Sequence, residues 1–304
     1  MSLFRKIQNL KTQILEIEKV LQLVGEHPLM SQGLLEKLSI LQDKLKELPK
    51  DSIQPKISLL FSGNAVKGSL GIKSNFLSKT IKPFQDLVKT QTALVRFGNV
   101  GKRGKTRKSF NSELYLTALP TGSFGIELSQ LETTDLFDEQ DVASAIHQIM
   151  NLIDLTSKSD EEFEEIVEIT PNRSLNNLRL FLKEISEEHS VLKMESGSYG
   201  LEISEERVKL AFDRVDSTSN EENEVFIEGI LRGILLDSGR FEISSEIGNI
   251  SGLINEELSE EQLIEFDQNF LNKTCRIHMK TQVITFKTGK EKVKYELINI
   301  EQTD

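Results

Sequence analysis

Apolar residues in the first fifty positions recur with a step that alternates between four and three. Leu3, Ile7, Leu10, Ile14, Ile17, Leu21 and Val24 form one such series. Leu34, Leu38, Leu41, Leu45 and Leu48 form a second. A seam of this period binds one helix to another, so the segment is predicted to be helical and paired. Gly25-Glu26-His27-Pro28 separates the two series, and a residue before proline is disfavoured in a helix. Gly33 lies near the start of the second helix and Pro49 stops it. Two helices joined by a short turn most simply fold back as an antiparallel hairpin. Leu10, Ile14, Ile17, Leu38 and Leu41 are the seam residues expected to make contacts. Those contacts close either an intramolecular hairpin or a dimer.

Charge divides the rest of the chain. The 304 residues carry a net charge of −11, but residues 50–110 hold 13 basic and 2 acidic side chains. Residues 111–304 hold 17 basic and 40 acidic ones. The basic stretch creates a local field that the net charge hides. It suits phosphates, or the acidic part of the same chain or of a second copy. Five cations fall within seven residues: Lys102, Arg103, Lys105, Arg107 and Lys108. The first three sit in Asn99-Val100-Gly101-Lys102-Arg103-Gly104-Lys105-Thr106, which nearly matches the phosphate-cradling pattern GxxxxGK[ST]. Asn99 stands where the first glycine is required, and Arg107-Lys108-Ser109-Phe110-Asn111 opens a helix poorly, although a possible strand, Thr92–Phe97, precedes the loop. Without a helix N-terminus the pattern cannot hold a nucleotide. A basic loop that meets phosphates, or only solvent, is the reading left.

The middle reads as two strands, helix, two strands, helix. Ile57–Phe61 is a buried strand ending at Gly63, and a second strand follows through Val66–Ile72. Phe76–Val95 is predicted helical with Pro83 limiting its start, Glu113–Leu119 and Gly125–Leu128 form a hairpin, and Phe137–Leu155 is helical. A short pattern recurs three times: Gly68-Ser69-Leu70-Gly71-Ile72, Gly122-Ser123-Phe124-Gly125-Ile126 and Gly197-Ser198-Tyr199-Gly200-Leu201. Paired glycines allow a twisted strand entry or, less directly, an anion-binding turn. The spacing is too irregular for a solenoid. An acidic helical bridge follows, with helices around 160–169, 175–189 and 205–215 and a hairpin at 191–203; its carboxylates read as a solvated helix face. Ser217–Asn223 contains no apolar residue and reads as a linker.

Beyond it come three strands, a helix opened by Ser259 with Gln262 three residues on, and two strands. That is the order of an OB-type barrel. In the fourth strand Arg276, His278 and Lys280 alternate with Cys275, Ile277 and Met279, so the three cationic positions share a face. With the loop cations they are the candidates for nucleic-acid or anion binding. Aromatic residues for base stacking are scarce around them.

The fold class is therefore α+β: an N-terminal antiparallel helical hairpin (1–49), an α+β domain (55–156), an acidic helical bridge with a hairpin (157–217) and a small OB-like β-barrel (223–301). One cysteine allows no internal disulfide or thiolate zinc cluster, and the histidines are scattered. No metal, cofactor or catalytic constellation is predicted. The absence of a long apolar run or signal-peptide core points to a cytoplasmic protein with no membrane span. The hairpin, Phe61-Ser62-Gly63 through Gly71-Ile72, Phe84-Gln85 and Gly122-Ser123-Phe124-Gly125 together resemble a family of uncharacterised bacterial proteins found around phage-defence or mobile-element genes. The likeness covers roughly the first half and implies a multi-protein antiviral system rather than an activity. The expected function is a non-enzymatic adaptor or regulator, self-associating or bound to a protein; the alternative is a nucleic-acid-binding protein.

Overall fold

The computed structural model describes residues 3–25, 28–97, 111–120, 124–135, 137–236, 239–255, 258–286, 289 and 291–303. Among these residues the chain is mixed α+β, with eight α-helices and twelve strands. Three separate apolar clusters organise it: one in a helical pair, one in a sheet-and-helix body, one in a barrel.

Helices α1 (Leu3–Val24) and α2 (Pro28–Lys46) pack on each other around Ile14, Ile17 and Leu41. Pro28 is the first residue of α2, where its missing N–H is no loss. Gly33 consequently lies inside the helix.

The body is built on a five-stranded sheet of order β4-β5-β1-β6-β7. Its members are β1 (Lys56–Ser62), β4 (Leu114–Ala118), β5 (Phe124–Gln130), β6 (Val191–Ser196) and β7 (Tyr199–Ile203), all paired antiparallel. Ile57 to Phe61 are buried without a break, as the central position of β1 requires. The remaining strands, β2 (Val66–Lys67) and β3 (Gly71–Ile72), form their own small hairpin. The stretch Val66–Ile72, read as one strand, is instead two short strands paired with each other outside the five-stranded sheet. Helices α3 (Ser74–Phe97), α4 (Asp138–Lys158), α5 (Asp160–Ile169), α6 (Asn172–Glu187) and α7 (Glu205–Asp216) share one core with that sheet, through Phe84, Ile149, Phe163, Phe181 and Val208 among others.

The body corrects three readings. α3 runs unbroken to Phe97, so no strand precedes the basic loop, and Pro83 lies within the helix rather than near its start. Residues 55–156 and 157–217 do not part at 156: β6 pairs with β1, and helices from both stretches pack in one core. In the second stretch Leu178, Phe181, Leu182 and Ile185 of α6 are buried, and so is one of its acids, Glu195.

No separate linker follows α7. β8 (Ser219–Leu235) takes up the polar run 219–223 as its opening, which pairs with the far end of β11 (Thr274–Thr285). These two strands, β9 (Arg240–Ser245), β10 (Gly248–Ile254) and β12 (Glu291–Gln302) form a closed barrel of order β10-β12-β11-β8-β9. All pairs are antiparallel except β10 with β12. Helix α8 (Glu260–Phe270) stands between β10 and β11 and opens with a reciprocal Ser259–Gln262 capping box. The register shifts between Leu231 and Gly233, which bends the long first strand.

The β11–β12 hairpin outreaches the barrel and seats in the body. Ile284 and Phe286 join the body core, and the Phe286 ring meets Phe163 edge-on at 6.0 Å. Lys294 Nζ donates to the Thr170 carbonyl (2.7 Å) and Lys292 Nζ to that of Glu164 (3.2 Å). The first of these places a cation at the C-terminal end of α5, where the helix dipole favours it. Asn172 Nδ2 donates to Gln282 Oε1 across the same joint.

Candidate functional site

The helical pair is fixed to the body at its first turn. The Phe4 N–H donates to the Gly197 carbonyl (2.9 Å), and Arg5 Nε reaches both carboxylate oxygens of Glu195, at 2.8 and 2.9 Å. The Glu195 side chain is buried, so this contact is more than a surface ion pair. The Phe4 ring fills the space beside Gly200 that any larger residue would need. Gly197, at φ +55°, lies against the Ser52 carbonyl. Two glycines of the third short repeat thus serve to dock the arm and the chain that leads from it.

The other repeats do different work. Gly125 lets β5 approach the Leu59 carbonyl, whereas Gly68 turns a hairpin at φ +55°. Gly122 and Ser123 lie outside the described residues. The three echoes have no common anion-binding geometry in the described part.

Beyond its anchor the arm is open. Of its seam residues only Ile14, Ile17 and Leu41 are buried; Leu10, Leu21, Leu34, Leu38 and Leu45 pack against them half-buried. All five predicted contact residues, Leu10, Ile14, Ile17, Leu38 and Leu41, thus gather in one cluster. Between the start of α1 and the end of α2 lies a cleft of about 530 Å³. Leu10 and Leu48 line it with Lys6, Asn9, Gln13, Lys44 and Glu47. Its volume lies in the range of ordinary ligand and side-chain pockets.

The barrel face places Arg276, His278 and Lys280 side by side, outward, as strand alternation predicts. It does not leave them as a free cationic strip. Arg276 is opposite Glu228 on β8 and Glu301 on β12; Lys280 is opposite Glu224 and Glu296. His278 Nε2 contacts Glu224 Oε2 at 3.2 Å. Four carboxylates therefore flank two full cations and one histidine, which disfavours a phosphate backbone there.

The same face holds an aromatic that escaped the sequence reading. Phe226 is 51% exposed, stacked on His278 with ring centroids 4.2 Å apart, and Arg276 sits 4.7 Å from its ring centre. Its signal was present in the outward phase of Glu224, Phe226 and Glu228 between inward Val225 and Ile227. Phe241 and Phe286, by contrast, are core residues.

Lys102, Arg103, Lys105, Arg107 and Lys108 lie outside the described residues, but both flanks of their segment are visible. Arg96, before it, binds Asp135 (2.6 Å), Asp138 (2.9 Å) and Asp141 (2.8 Å). Asn111, after it, donates its N–H to the same Asp138 (3.4 Å). Burial alone would raise the Asp138 pKa, but hydrogen bonds from Thr134, Asp135 and Asn111 hold it below the usual carboxylate value. Burial raises that of Asp141 instead, against the pull of Arg96.

The other titratable groups are dispersed. His189 contacts Glu205 at 2.7 Å on the surface, and His147 faces Tyr199 at 4.2 Å between ring centres. Cys275 is buried with its Sγ 3.5 Å from the Gly229 carbonyl, and burial pushes its thiol pKa up. Among the described residues no group of three His, Cys, Asp or Glu side chains is placed to hold a metal ion, and no helix is long and apolar enough to cross a membrane. Comparisons with protein-family models, curated proteins and solved structures return no match.

Proposed function

We propose that this chain is a non-enzymatic interaction protein, an adaptor or regulatory subunit whose helical arm holds a protein partner. One observation carries the reading: the arm is anchored through Phe4, Arg5 and Glu195, yet most of its heptad seam is only half covered. A seam of this period gains stability when further apolar side chains cover it. The arm is read as an antiparallel coiled-coil hairpin, since Lys6–Gln13 and Lys44–Leu48 border one cleft. The barrel is read as OB-like from its strand order, its parallel β10–β12 pair and the position of α8. The resemblance of the glycine motifs adds a setting: a cytoplasmic, multi-protein bacterial defence system.

The test is affinity capture from native cells after nuclease treatment, with wild type beside L10D/L38D. A protein retained by wild type and lost by the variant is expected. Equal capture by both, with the variant folded by circular dichroism, contradicts the reading.

Nucleic-acid binding is the second reading, favoured by the anchored flanks of the segment that carries Lys102 to Lys108. A strongly cationic segment held at both ends can follow phosphates. The barrel face, with four carboxylates opposite its cations, does not favour a second contact surface.

A further inference from the structure

From the charge around the arm's cleft we infer that the arm's partner is an acidic amphipathic helix lying in the groove between α1 and α2. The inference rests on the interaction reading above and specifies the chemistry of the partner.

Counting heptads with Ile14 at position a, the positions on the cleft side of α1 are Lys6, Gln13 and Val20, and those of α2 are Lys37 and Lys44. Such flanking positions set the choice of partner in helical bundles. Here they carry three cations and no acid. Lys6 and Lys44 both line the same cleft, with Glu47 the one acid beside them. None of Lys6, Lys37 and Lys44 has an ion-pair partner among the described residues, although Lys46 nearby pairs with Asp43 at 3.1 Å. Leu10 and Leu48 give the cleft its apolar floor, and Val20, at the same heptad position as Lys6 and Gln13, is 42% exposed.

A helix entering this groove would bury leucine-like residues on that floor and meet lysines on its rim. Glutamates at its flanks would complete the charge pattern. A second copy of the arm fits less well. A two-fold contact through the cleft brings the same lysines of both copies together, and like charges across an interface oppose it.

The probe is a leucine–glutamate amphipathic peptide, with its leucine–lysine counterpart as control, titrated against the full chain by fluorescence anisotropy. The acidic peptide is expected to bind, more weakly at high salt. K6E/K44E should weaken it about tenfold while K6R/K44R retains it, since each 1.4 kcal/mol is a factor of ten. These side chains are exposed, so both variants should fold. Equal binding of the two peptides, no binding of either, or binding unchanged in K6E/K44E overturns the inference. A dimer in light scattering that L10D/L48D returns to monomer and K6E/K44E leaves intact also overturns it, by placing a second copy in the groove. Failure here is separable from failure of the interaction reading. A captured protein lost by L10D/L38D but kept by K6E/K44E leaves that reading standing without the acidic partner.

Discussion

The ring of Phe4 occupies the space that a side chain at position 200 would need, so the start of α1 and the start of β7 can meet only because residue 200 is glycine. The pair joins residues 196 positions apart and fixes where the arm leaves the body. Gly200→Ala should force α1 away or distort β7, at a cost of about 1–3 kcal/mol for overpacking. In a Phe4→Ala background the same substitution should cost far less. Denaturant unfolding of the four proteins of this cycle measures the difference, and equal penalties in both backgrounds would remove Phe4 from the account.

Arg5 and Glu195 form the polar half of the same anchor. Arg5→Ala takes the two-oxygen guanidinium contact from a buried carboxylate that Lys193 approaches only to 4.0 Å. Breaking a buried pair in this way costs about 3 kcal/mol. Glu195→Gln keeps an acceptor and should cost less. Urea unfolding ranks the two variants, and hydrogen exchange should show α1 opening first in Arg5→Ala.

The aspartates around Arg96 predict an acid limb. Hydrogen bonds hold the Asp138 pKa below its unfolded value, despite burial, and Arg96 does the same for Asp135. A depressed carboxyl pKa stabilises the fold above the unfolded value of about 3.9 and loses that contribution as pH falls through the folded value. Asp141, with a raised pKa, works in the opposite sense and offsets part of the loss. Asp138→Asn should lower stability at neutral pH and flatten the dependence below about pH 4. Thermal unfolding from neutral to acid pH checks it; an unchanged acid limb would contradict the assignment.

Any polynucleotide binding should map to the loop and not to the barrel. Replacing Lys102, Arg103, Lys105, Arg107 and Lys108 with serine should abolish a low-salt mobility shift, whereas R276S/H278S/K280S should leave it nearly unchanged. The cross-strand carboxylates at Glu224, Glu228, Glu296 and Glu301 are the reason. The reverse ranking would restore the barrel as a nucleic-acid surface.

Local periodicity carried much of the architecture. The helical period of residues 3–48, the Ser259 capping box and the alternation of Arg276 to Lys280 each depend on neighbours a few positions away, and the two helices, the cap and the outward face are found in the fold. What stayed hidden depends on distant partners. β6 joins β1, which merges two stretches of opposite charge into one body. The polar run from Ser219 resembled a linker because its strand is specified by β11, more than fifty residues later. Thr92–Phe97 resembled a strand because β-branched and aromatic residues also suit a buried helix face, with Thr92 Oγ1 donating to the Val88 carbonyl. The anchor of the arm was unreadable for the same reason: nothing near Phe4 or Arg5 in sequence announces Gly200 or Glu195.

The central claim is that the open seam of the arm, rather than the barrel, meets another protein. A photo-crosslinking residue placed at Gln13, which lines the cleft, and separately at Ser251, exposed on the barrel, tests it in native cells. The account predicts a covalent adduct with a second protein from position 13 and none from position 251. An adduct confined to position 251, or one from position 13 that consists of nucleic acid, would contradict it.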